Sequence, residues 1–302
     1  VTIDNPQQDT PEDQIIRFTF ADLPVRGQFV RLTRSWLLAT EAQNYPDPVR
    51  QRVGQVMAVA TLLADGIKFE GRVALQATSD GAITTLLGEC AHQNRIRGIA
   101  RLAEDGTSTS DALLGTGRLA ISLIPDQGEM HQGVVELVGD SVASAVELYF
   151  ANSEQLPTKI QLASDAQGIT AVLLQRLPDS SPLPDGRILA KEKIDLEWER
   201  LHVLFDTCTG EELLTLQAER LLYRLFHEDR VTLTPPRTIA FGCSCSRQRS
   251  EAALKLLGKD DLTALSNETD EITISCEMCG ALYSWDSVEA HVLFETQEPK
   301  LH

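Results

Sequence analysis

The stretch FGCSCSRQRSEAALKLLGKDDLTALSNETDEITISCEMCGALYSWD, Phe241 to Asp286, holds four of the chain's six cysteines. Cys243 and Cys245 form a C-x-C pair, and Cys276 and Cys279 form a C-x-x-C pair about thirty residues further on. Zinc takes four thiolates tetrahedrally, and paired spacing lets each pair chelate with little loop-closure cost. The pattern predicts one zinc ion per chain on Cys243, Cys245, Cys276 and Cys279, although C-x-C is tighter than the spacing of a common zinc ribbon. The competing reading is four reduced structural cysteines, but their Ser, Glu and Arg neighbours make a poor buried core. A thioredoxin-like pair would sit in a βαβ setting, which this stretch lacks.

A closing segment of about sixty residues is small for a hydrophobic core of its own. In zinc-finger peptides a structural zinc contributes about 10–16 kcal/mol, more than the whole stability of most domains. The module at 241–302 is therefore expected to fold with metal and to unfold without it. Zinc keeps its oxidation state, but its thiolates can be oxidised. Ligand and redox roles are thus compatible, and coupling them makes a switch.

Upstream, the chain reads as an α+β protein with a mainly antiparallel sheet. Residues 1–12 are polar and acidic and read as a disordered tail. IIRFTF is strand-like, and residues 26–42 place Phe29, Val30, Leu32, Trp36 and Leu37 at helical spacing. Pro46 and Pro48 open a second helix with Val49, Val53, Val56, Met57 and Ala60 on one face. Short alternating runs follow, FEGRVALQAT, AITTLLGECA, RIRGIARLA, GRLAISLIP and QGVVELVG, separated by Gly and Asp. A helix, SVASAVELYFANSEQ, precedes a hairpin that turns at Asp165 to Gly168. The break from Asp179 to Gly186, made largely of Pro, Ser, Asp and Gly, is the best domain boundary, so the substrate-binding α+β domain is placed at 13–186.

Residues 187–240 turn helical in two amphipathic pieces, KIDLEWERLHVLF and EELLTLQAERLLYRLFHED. The second carries a stripe, Leu213, Leu214, Leu221, Leu222 and Leu225, of the kind that packs on a core or a neighbouring domain.

The net charge of -17 argues against a general affinity for nucleic acid or for anionic membranes. The opening VTIDNPQQDTPEDQ lacks a signal-peptide pattern, and the most apolar window, Val56 to Ala64, is too short to cross a bilayer. A cytoplasmic setting follows as the expectation, with thiols kept reduced. Cys90 sits in an apolar strand pattern and reads as core, while Cys208 has nothing to pair with. Gly115-Thr116-Gly117 reads as a turn, and His291 with Glu295 as surface residues. No catalytic constellation is evident, so an enzyme is not expected. A zinc enzyme is further disfavoured because four thiolates close the metal to water.

VRGQFVRL, IRGIAR, PDQGEMHQGVVEL, YFANSEQLPT, EELLTLQAERLLYRLFHED and CSCSR with the later C-x-x-C together resemble one family over nearly the whole chain. That family is the redox-regulated 33 kDa chaperonin, an oxidation-activated heat-shock holdase. Some relatives carry a further cysteine shortly after C-x-C, where this chain has Ser250. The resemblance implies a substrate-binding domain, a metastable helical linker at 187–240 and a zinc redox switch. It implies that Cys243, Cys245, Cys276 and Cys279 bind zinc when reduced, and that oxidation pairs Cys243–Cys245 and Cys276–Cys279, releases zinc and unfolds the linker. It further implies ATP-independent holding of unfolding clients, with the leucine stripe as a client-binding surface, a homodimer when active, and hand-over to ATP-dependent foldases. The alternative is a constitutive zinc-stabilised interaction module whose cysteines never cycle.

Overall fold

The structure is a computed structural model, and it describes residues 13–67, 70–104, 112–137, 139, 141–257, 269, 271–289 and 292. The sequence's expected tail at 1–12 and the His291–Glu295 pair lie outside the described residues. By contacts the chain divides into two compact units, Val1–Gly242 and Cys243–His302.

The first unit is built on two mainly antiparallel sheets. One contains β1 (Gln14–Phe20), β2 (Val25–Leu32), β8 (Thr158–Ser164), β9 (Ile169–Arg176) and β10 (Val231–Leu233), in the order β10-β1-β2-β9-β8. The short β11 (Arg237–Thr238) also pairs with β1. The other contains β3 (Gly71–Ser79), β4 (Ile83–Ala91), β5 (Arg95–Leu102), β6 (Gly117–Pro125), β7 (His131–Glu136) and β12 (Ala240–Phe241), in the order β12-β5-β4-β3-β6-β7. Among the described residues, only β12 runs parallel to its neighbour.

Two helices follow β2, α1 (Arg34–Glu41) and α2 (Asp47–Asp65). α2 packs against strands of both sheets and buries Val53 and every residue from Val56 to Leu63, so it is a core helix with little exposed face. Its close approach to the second sheet needs a strand position without a side chain. A Cβ at Gly88 would lie 2.7 Å from the Val56 backbone. The prolines enter α2 as its sequence predicts, with Pro48 at the first turn, where a missing N–H costs nothing.

The other face of the first sheet is covered by α4 (Lys191–Asp206), α5 (Gly210–Thr215) and α6 (Ala218–Phe226). The strands alternate accordingly. Val30 and Leu32 of β2 join the cluster around α2, while Val25 and Phe29 join Leu201, Phe205, Leu221 and Phe226. This explains a correction to the sequence reading of 26–42. Residues through Leu32 form a strand, and helix begins only at Arg34. A central strand buried on both faces is apolar on both sides, so its period is lost and a helix-like spacing emerges.

A second correction falls in EELLTLQAERLLYRLFHED. It is not one helix but two, broken by extended backbone at Leu216 and Gln217. Buried Arg31 supplies the reason: its Nη2 donates to the Leu213 and Leu216 carbonyls, each at 2.7 Å, taking up acceptors at the end of α5. At the other end Thr209 and Glu212 form a reciprocal capping box. The hairpin at Asp165 is as expected, with Asp165 Oδ1 accepting from the Gln167 and Gly168 amides. The expected helix at 141–155 is α3 (Val142–Tyr149) running into a π-helical turn, Phe150–Glu154.

The second unit contains α7 (Arg247–Leu257) and a hairpin of β13 (Glu271–Ser275) and β14 (Leu282–Asp286). Its buried hydrophobic cluster is Leu254, Ile272 and Trp285, with Ile274 and Tyr283 packed against it.

Candidate metal centre

The hairpin register places Ile272 opposite Trp285 and Ile274 opposite Tyr283, and its turn carries the C-x-x-C pair. Cys276 N donates to Ala281 O at 2.8 Å, and the Cys276 carbonyl accepts from Gly280 N at 2.8 Å. Gly280 adopts a φ of 71°, a conformation a side chain disfavours, and this lets the turn fold Cys279 back beside Cys276. The C-x-C pair precedes α7, and Arg249 braces it by donating from Nη1 to Ser244 O and Ser244 Oγ at 2.8 and 2.7 Å. Ser246 accepts from Arg249 N at 3.2 Å at the start of that helix. Arg247 lies over the Trp285 ring at 4.9 Å and donates to Ser284 O, so α7 is tied to the hairpin.

These elements bring the four Sγ atoms within 4.8 Å of one another. Two contacts cross the pairs: Cys243 to Cys276 at 3.7 Å and Cys245 to Cys279 at 3.4 Å. All four side chains are half-buried. Four convergent soft donors fit a thiophilic divalent cation and leave no position for substrate water.

As free thiols they do not titrate alike. Burial raises Cys245, but hydrogen bonds from the Tyr283 hydroxyl and the neighbouring thiols outweigh it and bring the group down to about 7. Burial is the main cause pushing Cys279 up to about 12, helped by the sulfurs around it, and Cys243 is also raised. The Tyr283 hydroxyl, 3.2 Å from Cys245 Sγ, is held up at about 12 chiefly by that bond. Tyr283, Arg247 and Arg249 were not singled out in the sequence. Spacing marks the ligands, but only the hairpin register and the helix direction aim these side chains at the site.

The other two cysteines lie elsewhere in the fold. Cys90 is buried on β4, and burial pushes its thiol up to about 12. Cys208 is half-buried between α4 and α5, raised to about 11 mainly by burial. Neither has thiolate character at neutral pH. Among the described residues no helix is long and apolar enough to cross a membrane.

A two-sheet α+β body covered by helices, together with a small unit carrying four convergent thiols, defines a protein with a closed thiolate site of the structural-metal kind. The Hsp33 protein family model matches residues 13–286. The chain is 39% identical over 286 residues to a 33 kDa chaperonin of Pseudomonas paraeruginosa, covering 93% of this chain and 94% of that one. It is 40% identical over 283 residues to the 33 kDa chaperonin of Azotobacter vinelandii, covering 92% and 93%. The crystal structure of the 33 kDa chaperonin (heat shock protein 33 homolog) from Thermotoga maritima superposes with a TM-score of 0.77 at 20% identity, over 94% of this chain and 99% of that one. The chain belongs to the Hsp33 family of chaperonins, which are holdases and not enzymes.

Proposed function

We propose that this chain is a redox-controlled, ATP-independent holdase whose reduced, zinc-bound form is inactive. The observation that carries the reading is the covered apolar stripe: Leu213, Leu221, Leu222 and Leu225 are buried against β1, β2 and β9, with Leu214 packed at the margin. Surface suited to unfolded chains is therefore present but hidden.

In this reading 13–186 is the substrate-binding domain, 187–240 a metastable linker and 241–302 the switch. Cys243, Cys245, Cys276 and Cys279 hold the metal as thiolates; bound zinc would supply the cross-link that this small unit's core cannot. Peroxide oxidises them in pairs, Cys243 with Cys245 and Cys276 with Cys279. Each pair of thiolates gives two electrons to one peroxide, which takes up two protons and leaves as two waters. The ligand set is then consumed, the module unfolds, and the helices of the linker undock from the sheet. The exposed stripe holds unfolding proteins, and a net charge of -17 keeps the complex dissolved. Two activated chains pair as a homodimer, and clients pass to ATP-dependent foldases in the cytoplasm.

Peptide mapping tests the pairing. All four sulfurs are mutually close, so proximity selects no partner, and the reading requires intrapair links. Recovery of Cys243–Cys276 and Cys245–Cys279 links as the dominant products of peroxide treatment would sink it.

A further inference from the structure

Gln28 on β2 is 4% exposed, and its Oε1 has no hydrogen-bond partner among the described residues. A buried amide oxygen left unpaired is costly, so a group that could satisfy it is called for. Gln28 lines a cavity of about 210 Å³ in the first unit, walled by Leu62, Ile121, Leu123 and Leu173. Arg26, two residues earlier on the same face of the strand, lines it too. Arg26 donates from Nε and Nη2 to Gln175 Oε1, at 3.1 and 2.7 Å, and among the described residues no carboxylate pairs with it. Burial, and then the charge of Arg17, lower its pKa, so an anion beside it would be favoured. The two groups converge: a Cβ placed on Gly66 would lie 3.8 Å from Arg26 Nη2 and 3.9 Å from Gln28 Nε2.

The remaining wall is the π-helical turn at Phe150–Glu154, closed by Gln155 in a left-handed conformation with φ 54°. Phe150, Glu154 and Leu156 face the cavity, and Glu154 is engaged by the Tyr149 hydroxyl at 2.8 Å. Such turns interrupt regular helical bonding and recur at functional sites.

We propose that this cavity binds an apolar amino-acid residue bearing a free α-carboxylate. The carboxylate is held by Arg26 and Gln28 Nε2, the residue's own N–H by Gln28 Oε1, and its side chain by the leucine and isoleucine wall. The match is one of inventory: an anion for an arginine without a counter-charge, a donor for an orphaned acceptor, and hydrocarbon for the space. A dry apolar cavity of about 150 Å³ accepts benzene, so a Leu- or Phe-sized side chain fits. Free amino acid and the C-terminal residue of a peptide offer the same chemistry, and the test separates them.

The probes are L-leucine, acetyl-alanyl-leucine, its C-terminal amide and 4-methylpentanoate, titrated into the full reduced chain with methyl NMR detection. Saturable shifts at Leu62 and Leu123 are expected from L-leucine, acetyl-alanyl-leucine or both, and whichever binds identifies the source. Loss of the charge-assisted bonds should make the amide about tenfold weaker, and loss of the N–H donor should weaken 4-methylpentanoate similarly. Arg26→Met should abolish the preference for the carboxylate over the amide. Because that change also frees Gln175, Leu123→Trp serves as a second variant that fills the cavity from a half-buried position and should abolish binding. No saturable shift from any probe, equal binding of acid and amide, or unaltered binding to Leu123→Trp overturns the proposal.

Discussion

At the scale of single residues, the hydroxyl of Tyr283 is the most informative group near the thiols. It donates to Cys245 Sγ at 3.2 Å from a strand whose register pairs Tyr283 with Ile274 and Trp285 with Ile272. Groups that hydrogen-bond to metal ligands commonly contribute 10–100-fold in affinity. Tyr283→Phe keeps the ring packed on the small core, so chelator competition should show zinc lost about tenfold more readily with the fold intact. An unchanged chelation curve would mean that the hydroxyl does not support the ligand. The ligands themselves make a harsher case. Cys→Ser at position 243, 245, 276 or 279 replaces a soft thiolate with a poor donor, and metal analysis should find much less than one zinc per chain. One equivalent of tightly held zinc in the Cys243→Ser, Cys245→Ser double variant would refute the assignment. The four cysteines were legible because spacing alone implies chelation. Tyr283 was not, since nothing in C-x-x-C-x-x-x-Y says that the tyrosine points back at the first pair.

At the scale of elements, the decisive contact is that of α5 and α6 with the first sheet. Leu221 is fully buried there among Phe18, Phe29 and Phe226. Leu221→Ala should cost about 2–5 kcal/mol of helix docking, depending on how far the site collapses. Hydrogen exchange should then quicken across Gly210–Phe226 in the reduced protein while β4 and its neighbours keep their protection. Uniform quickening through both sheets would show that the helices are not a separable layer. Most strands and α2 could be read from the sequence because their apolar periods or prolines are local signals. Two readings failed for the same physical reason, that tertiary contacts overrode local pattern. β2 is covered on both faces, which erases its alternation, and the break at Leu216 is set by Arg31, more than 180 residues away in the chain.

At the scale of the whole molecule, the two units differ in what sustains them. The body at Val1–Gly242 has clusters on both faces of its first sheet, whereas Cys243–His302 has three buried hydrophobic side chains among its described residues. Removing metal from the reduced protein should therefore melt β13 and β14 and leave the two-sheet body standing, a difference that exchange would resolve. The central claim is that oxidation of the four thiols uncovers a client-binding surface. Light scattering of a thermally denaturing client, with reduced zinc-bound and peroxide-treated protein side by side, tests it most directly. The account predicts that only the oxidised protein suppresses aggregation and that reductant with zinc reverses the effect; equal suppression by both forms would contradict it and favour a constitutive zinc-stabilised module.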